Sequence, residues 1–366
     1  MGATDFEKRK HDILEAIIEV YVASAAPVGS ELISRKLRQS VSPATVRNVM
    51  AELEQEGLLE HPHTSAGRVP TDRGYRYYVD SLRDARRLTP DQARQVNESV
   101  RRSESAAASL LEGVGEVLSA LTHHAAFVVA PTVRRSTIRQ IELLPLSLHK
   151  LHCVLIGEEP FLASHTVELL EPISRDEAIS LAHFLNTELA GLPADQLIVV
   201  LERRLLAVND SFYHLVKRSL GILQAVMAFE PEERLLIEGA AYLFEYPEFH
   251  QSPERARQLL RQLELQEELL AQLRGDLASM FDRARSRLDG AQVRIGHEVG
   301  IEGLEECSYI LAPFSLHQSI VGGIGILGPR RMDYRRMRAL VEGVAGVVSE
   351  VLGQWTTEHG RGVADG

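Results

Sequence analysis

The chain has 366 residues, enough for two or three domains of roughly 100–200 residues each. Hydrophobic residues make up 45% and charged residues 25%, which excludes a disordered or collagen-like chain and provides ample core. The two distant cysteines, Cys153 and Cys307, exclude a disulfide framework and suit a reducing cytoplasm; no apolar run approaches the roughly 18 residues of a membrane span. Glu15 and Glu19 interrupt Ile13–Val22, so this stretch does not read as a secretory signal.

Net charge is −11, which taken alone argues against a nucleic-acid partner. The distribution says otherwise. Residues 1–87 carry 13 basic and 13 acidic residues, so the remainder holds the whole excess of acid. Ser34–Met50 contains Arg35, Lys36, Arg38 and Arg47 and no acid, and His61–Arg87 holds six arginines against three aspartates. A local basic face on an acidic protein still meets a phosphate backbone favourably, because fields between exposed charges decay over about a Debye length.

In chain order, Ile13, Ile17, Val20 and Tyr21 form one stripe of a helix over Phe6–Ser24, broken by Ala26–Gly29. Ser30–Leu37 reads as a short second helix. Ser42 followed by Pro43 is an N-cap with proline at the first helical position, opening a third helix that Gly57 closes. A short strand at Leu58–Glu60, a polar loop over His61–Gly67 and a second strand complete a winged helix-turn-helix pattern. Thr71 caps a fourth helix with Tyr75, Tyr78, Val79 and Leu82 inward, and Arg87–Ser109 reads as a helical connector.

Beyond it, Ala125–Pro131, Thr137–Pro145, Leu151–Ile156 and Phe161–Leu170 are strand-like, and Ser174–Leu189 is a helix with a capping box. Strands return at Ala291–Ile295, Cys307–Ala312 and Ser319–Leu327, before a final helix over Asp333–Leu352. The pattern predicts a multidomain α+β protein whose second domain is split by a mainly helical insertion. The expected divisions are 1–87, 88–110, 111–211, 212–289, 290–355 and a tail, 356–366. Within the insertion, Leu263, Leu270 and Leu277 recur every seven residues beside Leu259 and Leu273, with Gln266 the polar exception. The stripe fits either a self-associating helix or a helix packed on its own core.

The third helix is the strongest candidate for chemistry. Val46, Val49, Met50 and Leu53 face inward, which leaves Ala44, Thr45, Arg47 and Asn48 outward near the helix start. A helix-turn-helix protein presents side chains to base edges there. Arginine grips guanine O6/N7 and asparagine grips adenine N6/N7, so Arg47 and Asn48 are the expected base readers, with Thr45 and Ser42 in support. Lys36, Arg38 and Arg68 are expected at phosphates. His63 and Ser65, in a small, hydroxyl-rich loop, are expected against the backbone or minor groove, and Arg73 and Arg76 add to the same basic face.

Two blocks make a resemblance specific: Ser42-Pro-Ala-Thr-Val-Arg-Asn-Val-Met-Ala-Glu-Leu-Glu54, and the run from His61 through Thr71-Asp-Arg-Gly-Tyr-Arg-Tyr-Tyr-Val-Asp80. They resemble the HrcA family of heat-inducible transcription repressors. The likeness continues at Ile138–Pro145, Leu236–Gly239, Tyr246–Phe249 and Gly328-Pro-Arg-Arg-Met-Asp-Tyr334. The resemblance implies a winged-helix domain, a GAF-like domain and a dimerising insertion within it. It also implies a cytoplasmic homodimer that binds an inverted-repeat operator of chaperone genes and is kept active by the chaperonin GroEL, with no cofactor.

Other patterns carry little. Gly323-Ile-Gly-Ile-Leu-Gly328 satisfies a dinucleotide fingerprint, but Pro329 follows it and no second strand of a βαβ unit remains. His149, His152 and Cys153 lack the third or fourth partner of a zinc site. No nucleophile motif or phosphate loop is present, no carboxylate pair has evident acid–base roles, and no polar ring marks an effector pocket, so an enzyme is not expected.

Overall fold

The computed structural model describes residues 2–37, 41–62, 67–82, 89–102, 107–130, 137–157, 162–207, 210–229, 234–284, 290–316 and 319–359. The first unit is three helices, α1 (Gly2–Ser24), α2 (Ser30–Lys36) and α3 (Pro43–Gln55), with a two-stranded antiparallel wing, β1 (Leu59–Glu60) and β2 (Val69–Pro70). Helix α4 (Asp72–Ser81) follows. Ile13, Ile17, Ile33, Val46, Val49 and Leu53 are buried together, as the 3.6-residue period requires. Gly74 lets α4 approach the wing: a Cβ there would sit 2.1 Å from the Leu58 carbonyl oxygen. The Thr71 side chain fixes the same corner, accepting from the Gly74 amide at 3.1 Å and donating to the Gly57 carbonyl at 2.7 Å.

Two connector helices, α5 (Pro90–Arg102) and α6 (Ala107–Thr122), lead into β3 (Ala125–Ala130). The chain then builds a three-stranded antiparallel meander from β4 (Ile138–Ser147), β5 (Lys150–Gly157) and β6 (Leu162–Glu168). Helices α7 (Arg175–Leu189), α8 (Leu197–Ala207) and α9 (Asp210–Phe229) cover one face of it. Asn186 ties α7 to β4, donating to the Ile141 carbonyl at 2.7 Å and accepting from the Ile141 amide at 2.8 Å.

Only afterwards does the first sheet resume. Strand β7 (Arg234–Glu238) pairs with β3, placing Ile237 opposite Phe127. A 3₁₀ segment over 240–245 leads to α10 (Pro247–His250), α11 (Pro253–Leu265) and α12 (Glu267–Ala284). Strands β8 (Gln292–Ile295), β9 (Cys307–Leu316) and β10 (Ser319–Pro329) finish a five-stranded antiparallel sheet of order β7-β3-β10-β9-β8, and α13 (Tyr334–His359) ends the fold.

Alternation along these strands gives the sheet two buried faces. Ala126, Val128, Ile310, Ile324 and Ile326 face α6 and α13 and join the winged-helix core, so one apolar cluster runs from α1 to the sheet. Phe127, Tyr309, Leu311 and Leu327 face α11 and α12.

This topology corrects two expectations. The strands of 137–170 are not in the split sheet; residues 138–229 form a separate unit with its own core, so the insertion lies between β3 and β7 rather than at 212–289. Secondly, Leu259, Leu263, Leu273 and Leu277 are buried against the chain's own sheet, with Leu270 packed at the edge of that cluster. They are not a free dimerising seam. Gln266 adopts a left-handed conformation (φ 57°) and splits the expected single helix into α11 and α12, which interrupts the heptad between Leu263 and Leu270. Leu273→Ala therefore lowers stability by about 2–5 kcal/mol in urea unfolding and leaves the sedimentation mass of the folded protein unchanged.

The glycine fingerprint is also resolved. Gly323, Gly325 and Gly328 lie along β10, paired to β9 on one side, and Gly325 stands opposite Phe127 of β3 on the other. A Cβ on Gly325 would meet Phe127 Cζ at 2.4 Å, so the missing side chain makes room for a core aromatic ring. Among the described residues, no group of three or more His, Cys, Asp or Glu side chains is placed to hold a metal, and no helix is long and apolar enough to cross a membrane.

Candidate nucleic-acid interface

Helix α3 is presented by a tightly made corner. The Ser34 hydroxyl of α2 donates to the Val41 carbonyl at 2.7 Å, which ties α2 to the residue before the α3 cap. Ser42 then caps α3, accepting from the Thr45 amide at 3.1 Å, while the Ser42 and Thr45 hydroxyls lie 2.9 Å apart. Ser42 thus positions the helix, and Thr45 is half-buried beside it. With Val46, Val49 and Met50 locked inward, Ala44, Arg47 and Asn48 project from the first turns into solvent. Neither Arg47 nor Asn48 has a side-chain partner among the described residues, so five guanidinium donors and one carboxamide remain available. That is the outward pair expected from the sequence.

The surrounding charges divide differently. Lys36 pairs with Glu19 at 2.9 Å on an exposed surface, a contact too weak to withhold the ammonium from a phosphate. Arg68 is less free: its guanidinium lies 2.7 Å from Glu54, and its backbone pairs with Val28 in an isolated β-bridge. As placed, Arg68 braces the base of the wing against α3. Arg76 leaves the expected basic face entirely. It binds Glu298 and donates to the Val293 carbonyl at 2.7 Å, joining α4 to the sheet domain. Arg38, His63 and Ser65 lie outside the described residues.

The sequence reading missed this contact between domains. Asp72 accepts from Arg330 at 3.0 Å and from both the ring and the amide of His297, at 2.8 and 3.1 Å. Arg330 also reaches Glu306 at 3.1 Å, Arg335 pairs with Glu15, and the Tyr75 and Tyr334 rings lie 5.6 Å apart. The blocks 71–80 and 328–334, both quoted above for the resemblance, therefore meet face to face. Their shared richness in Asp, Arg and Tyr was the available signal.

Burial alone would raise the Asp72 carboxyl, but the hydrogen bonds from His297 and Arg330 outweigh it and hold it below the usual carboxylate value. A depressed folded pKa adds stability that is complete above the unfolded value, about 3.9, and is lost as pH falls through the lower folded one. Asp72→Asn is expected to lower the melting temperature at neutral pH. Calorimetry across the acid range should show the difference from wild type shrinking as pH falls through the lowered Asp72 value.

Residues 5–81 match the family described as winged helix-turn-helix transcription repressor, HrcA DNA-binding, and residues 108–337 match the HrcA protein C-terminal domain. Over 355 residues the chain is 31% identical to the heat-inducible transcription repressor HrcA of Pelotomaculum thermopropionicum, covering 97% of this chain and 99% of that one. Over 361 residues it is 33% identical to the protein of the same name from Chlorobium luteolum, covering 96% and 99%. A crystal structure described only as a hypothetical protein at 2.2 Å resolution superposes with a TM-score of 0.61 at 23% identity, over 94% of this chain and 98% of that one, and supports the fold. With both parts matched and the relatives aligned nearly end to end, the chain belongs to the HrcA family of heat-inducible transcription repressors.

Proposed function

We propose that the protein works in the cytoplasm as a homodimer on an inverted-repeat operator of chaperone genes, reading one half-site with each α3. The observation that carries this reading is the exposed, unpartnered pair Arg47 and Asn48 at the capped start of α3. Arg47 and Asn48 contact base edges in the major groove, Thr45 supports them, and Lys36 contacts phosphate. Arg38, His63 and Ser65, outside the described residues, enter this reading as DNA contacts on sequence grounds alone. Arg68 reaches phosphate only by exchanging its Glu54 contact.

Self-association runs through the inserted unit, 138–229, rather than through the leucines of α11 and α12. That unit leaves Leu144, Leu146, Leu148, Leu206 and Phe212 exposed although it has a complete core of its own. Two-fold symmetry of the protein then matches two-fold symmetry of the operator.

The chaperonin GroEL sustains activity by returning heat-inactivated protein to the DNA-competent form. Apparent affinity falls in proportion to the competent fraction. Purified protein is expected to lose operator binding on mild heating and to regain it with GroEL and ATP. A duplex carrying one half-site is expected to bind more than about 100-fold more weakly than the full repeat, since the second half-site acts at high effective concentration. Equal binding of half-site and full repeat, with one protomer on each, removes the dimeric reading.

A further inference from the structure

The winged helix is gripped at two separate points by consecutive residues of the turn between β10 and α13. Arg330 reaches α4, where its guanidinium lies 3.0 Å from the Asp72 carboxylate. Arg331 reaches the end of α1 and donates to the Val22 carbonyl at 3.0 Å. That carbonyl belongs to the last turn of α1, where carbonyls lack partners within the helix and a cation is favoured. Each arginine is anchored on its own side of the seam. Arg330 pairs with Glu306 at 3.1 Å, and Arg331 binds Glu248 and lies 5.6 Å from the centre of the Tyr246 ring.

The sheet domain is shaped to receive the winged helix. Gly296, in the turn after β8, has a left-handed backbone (φ 54°), and a Cβ there would stand 2.4 Å from both Asp72 carboxylate oxygens. The glycine leaves the space that the carboxylate fills. One turn further along α4, Arg76 binds Glu298 and donates to the Val293 carbonyl at 2.7 Å. The buried rings of Tyr75 and Tyr334 meet in the same seam. Arg47 and Asn48 of α3 stay exposed outside it.

Grips on two different helices fix orientation as well as position, because a rotation about either one breaks the other. We propose that Arg330 and Arg331 are positioning residues for operator binding, holding the winged helix so that the second half-site is met without a further ordering cost. The inference rests on the dimeric reading given above. On that reading each half-site is bound by α3 alone, but the second is bound at an effective concentration that falls as the winged helix gains freedom. The seam therefore acts on the full repeat and not on an isolated half-site.

Full-length wild type, Arg330→Gln/Arg331→Gln and Asp72→Asn would be titrated by anisotropy with a full-repeat duplex and a half-site duplex, well below the melting temperature of each. Wild type is expected to prefer the full repeat by more than about 100-fold. The double variant should reduce that preference by about tenfold or more and Asp72→Asn by about threefold or more, with half-site affinity kept within about twofold in both. Circular dichroism and sedimentation establish that the variants fold and keep the wild-type mass. Asp72→Asn, which preserves side-chain size, serves if the double variant does not fold. An unchanged preference in folded variants, tighter binding of the full repeat, or an equal loss on both duplexes would overturn the positioning role. Wild type that binds both duplexes equally would instead remove the dimeric reading, and this inference with it.

Discussion

Arg47→Ala is expected to weaken operator binding by about 1–3 kcal/mol, roughly five- to 150-fold in Kd, while binding to unrelated DNA changes little. The reason lies in the kind of contact. A guanidinium that meets a guanine edge through two hydrogen bonds discriminates among bases, and its loss relaxes specificity at one position of each half-site. Asn48→Ala should act alike at an adenine. Lys36→Ala should behave differently, weakening operator and unrelated duplexes together and reducing the salt slope by about one. Fluorescence anisotropy on matched and single-base-substituted duplexes separates these behaviours. A uniform loss across sequences for Arg47→Ala would make that residue a phosphate contact instead.

The second large effect is expected far from DNA. Asp276 of α12 is 3% exposed in its side chain, accepts from Arg294 Nε at 3.0 Å and from the Tyr309 hydroxyl at 2.6 Å, and also binds a second nitrogen of Arg294. This cluster fastens α12 to β8 and β9. Hydrogen bonding to Asp276 is the main reason the Arg294 guanidinium is held above its usual value, while burial chiefly raises the Tyr309 hydroxyl. Asp276→Ala leaves the arginine half-buried without its counter-ion and is expected to cost about 3–5 kcal/mol in urea unfolding. Replacing the pair together, Asp276→Leu with Arg294→Met, should recover most of that loss, since the charges cost desolvation that apolar side chains do not. If the double variant is as unstable as the single one, the cluster acts through packing rather than charge.

The winged helix was legible because its signals are local. Ser42-Pro43, Thr71 and Gly57 mark helix ends in the sequence itself, and the stripe through Val46, Val49 and Leu53 determines which residues of α3 face outward. The outward placement of Arg47 and Asn48 follows directly from that stripe. Pairing between β3 and β7 is a different matter, because about a hundred residues and a second sheet separate them. No periodicity reports which of several short strands will be neighbours. The leucines of α11 and α12 show a related ambiguity: an apolar stripe looks the same whether it meets another helix or a sheet, and the non-glycine break at Gln266 carries no signature. Arg68 and Arg76 read as phosphate-facing only while Glu54 and Glu298 are unseen. Nothing in the sequence singles out Asp276, since only the tertiary fold brings Arg294 and Tyr309 to it.

The most direct test of the central claim, that α3 reads a specific sequence through Arg47 and Asn48, is a salt series of anisotropy titrations. The labelled duplexes are a family-type inverted repeat and its scrambled counterpart, run with wild type and with Arg47→Ala/Asn48→Ala. The account predicts tight, salt-dependent binding of wild type to the repeat, at least about 10³-fold tighter than to the scrambled duplex, with most of that ratio lost in the double variant. A double variant that keeps the full ratio would contradict it, placing sequence recognition on some other surface of the protein.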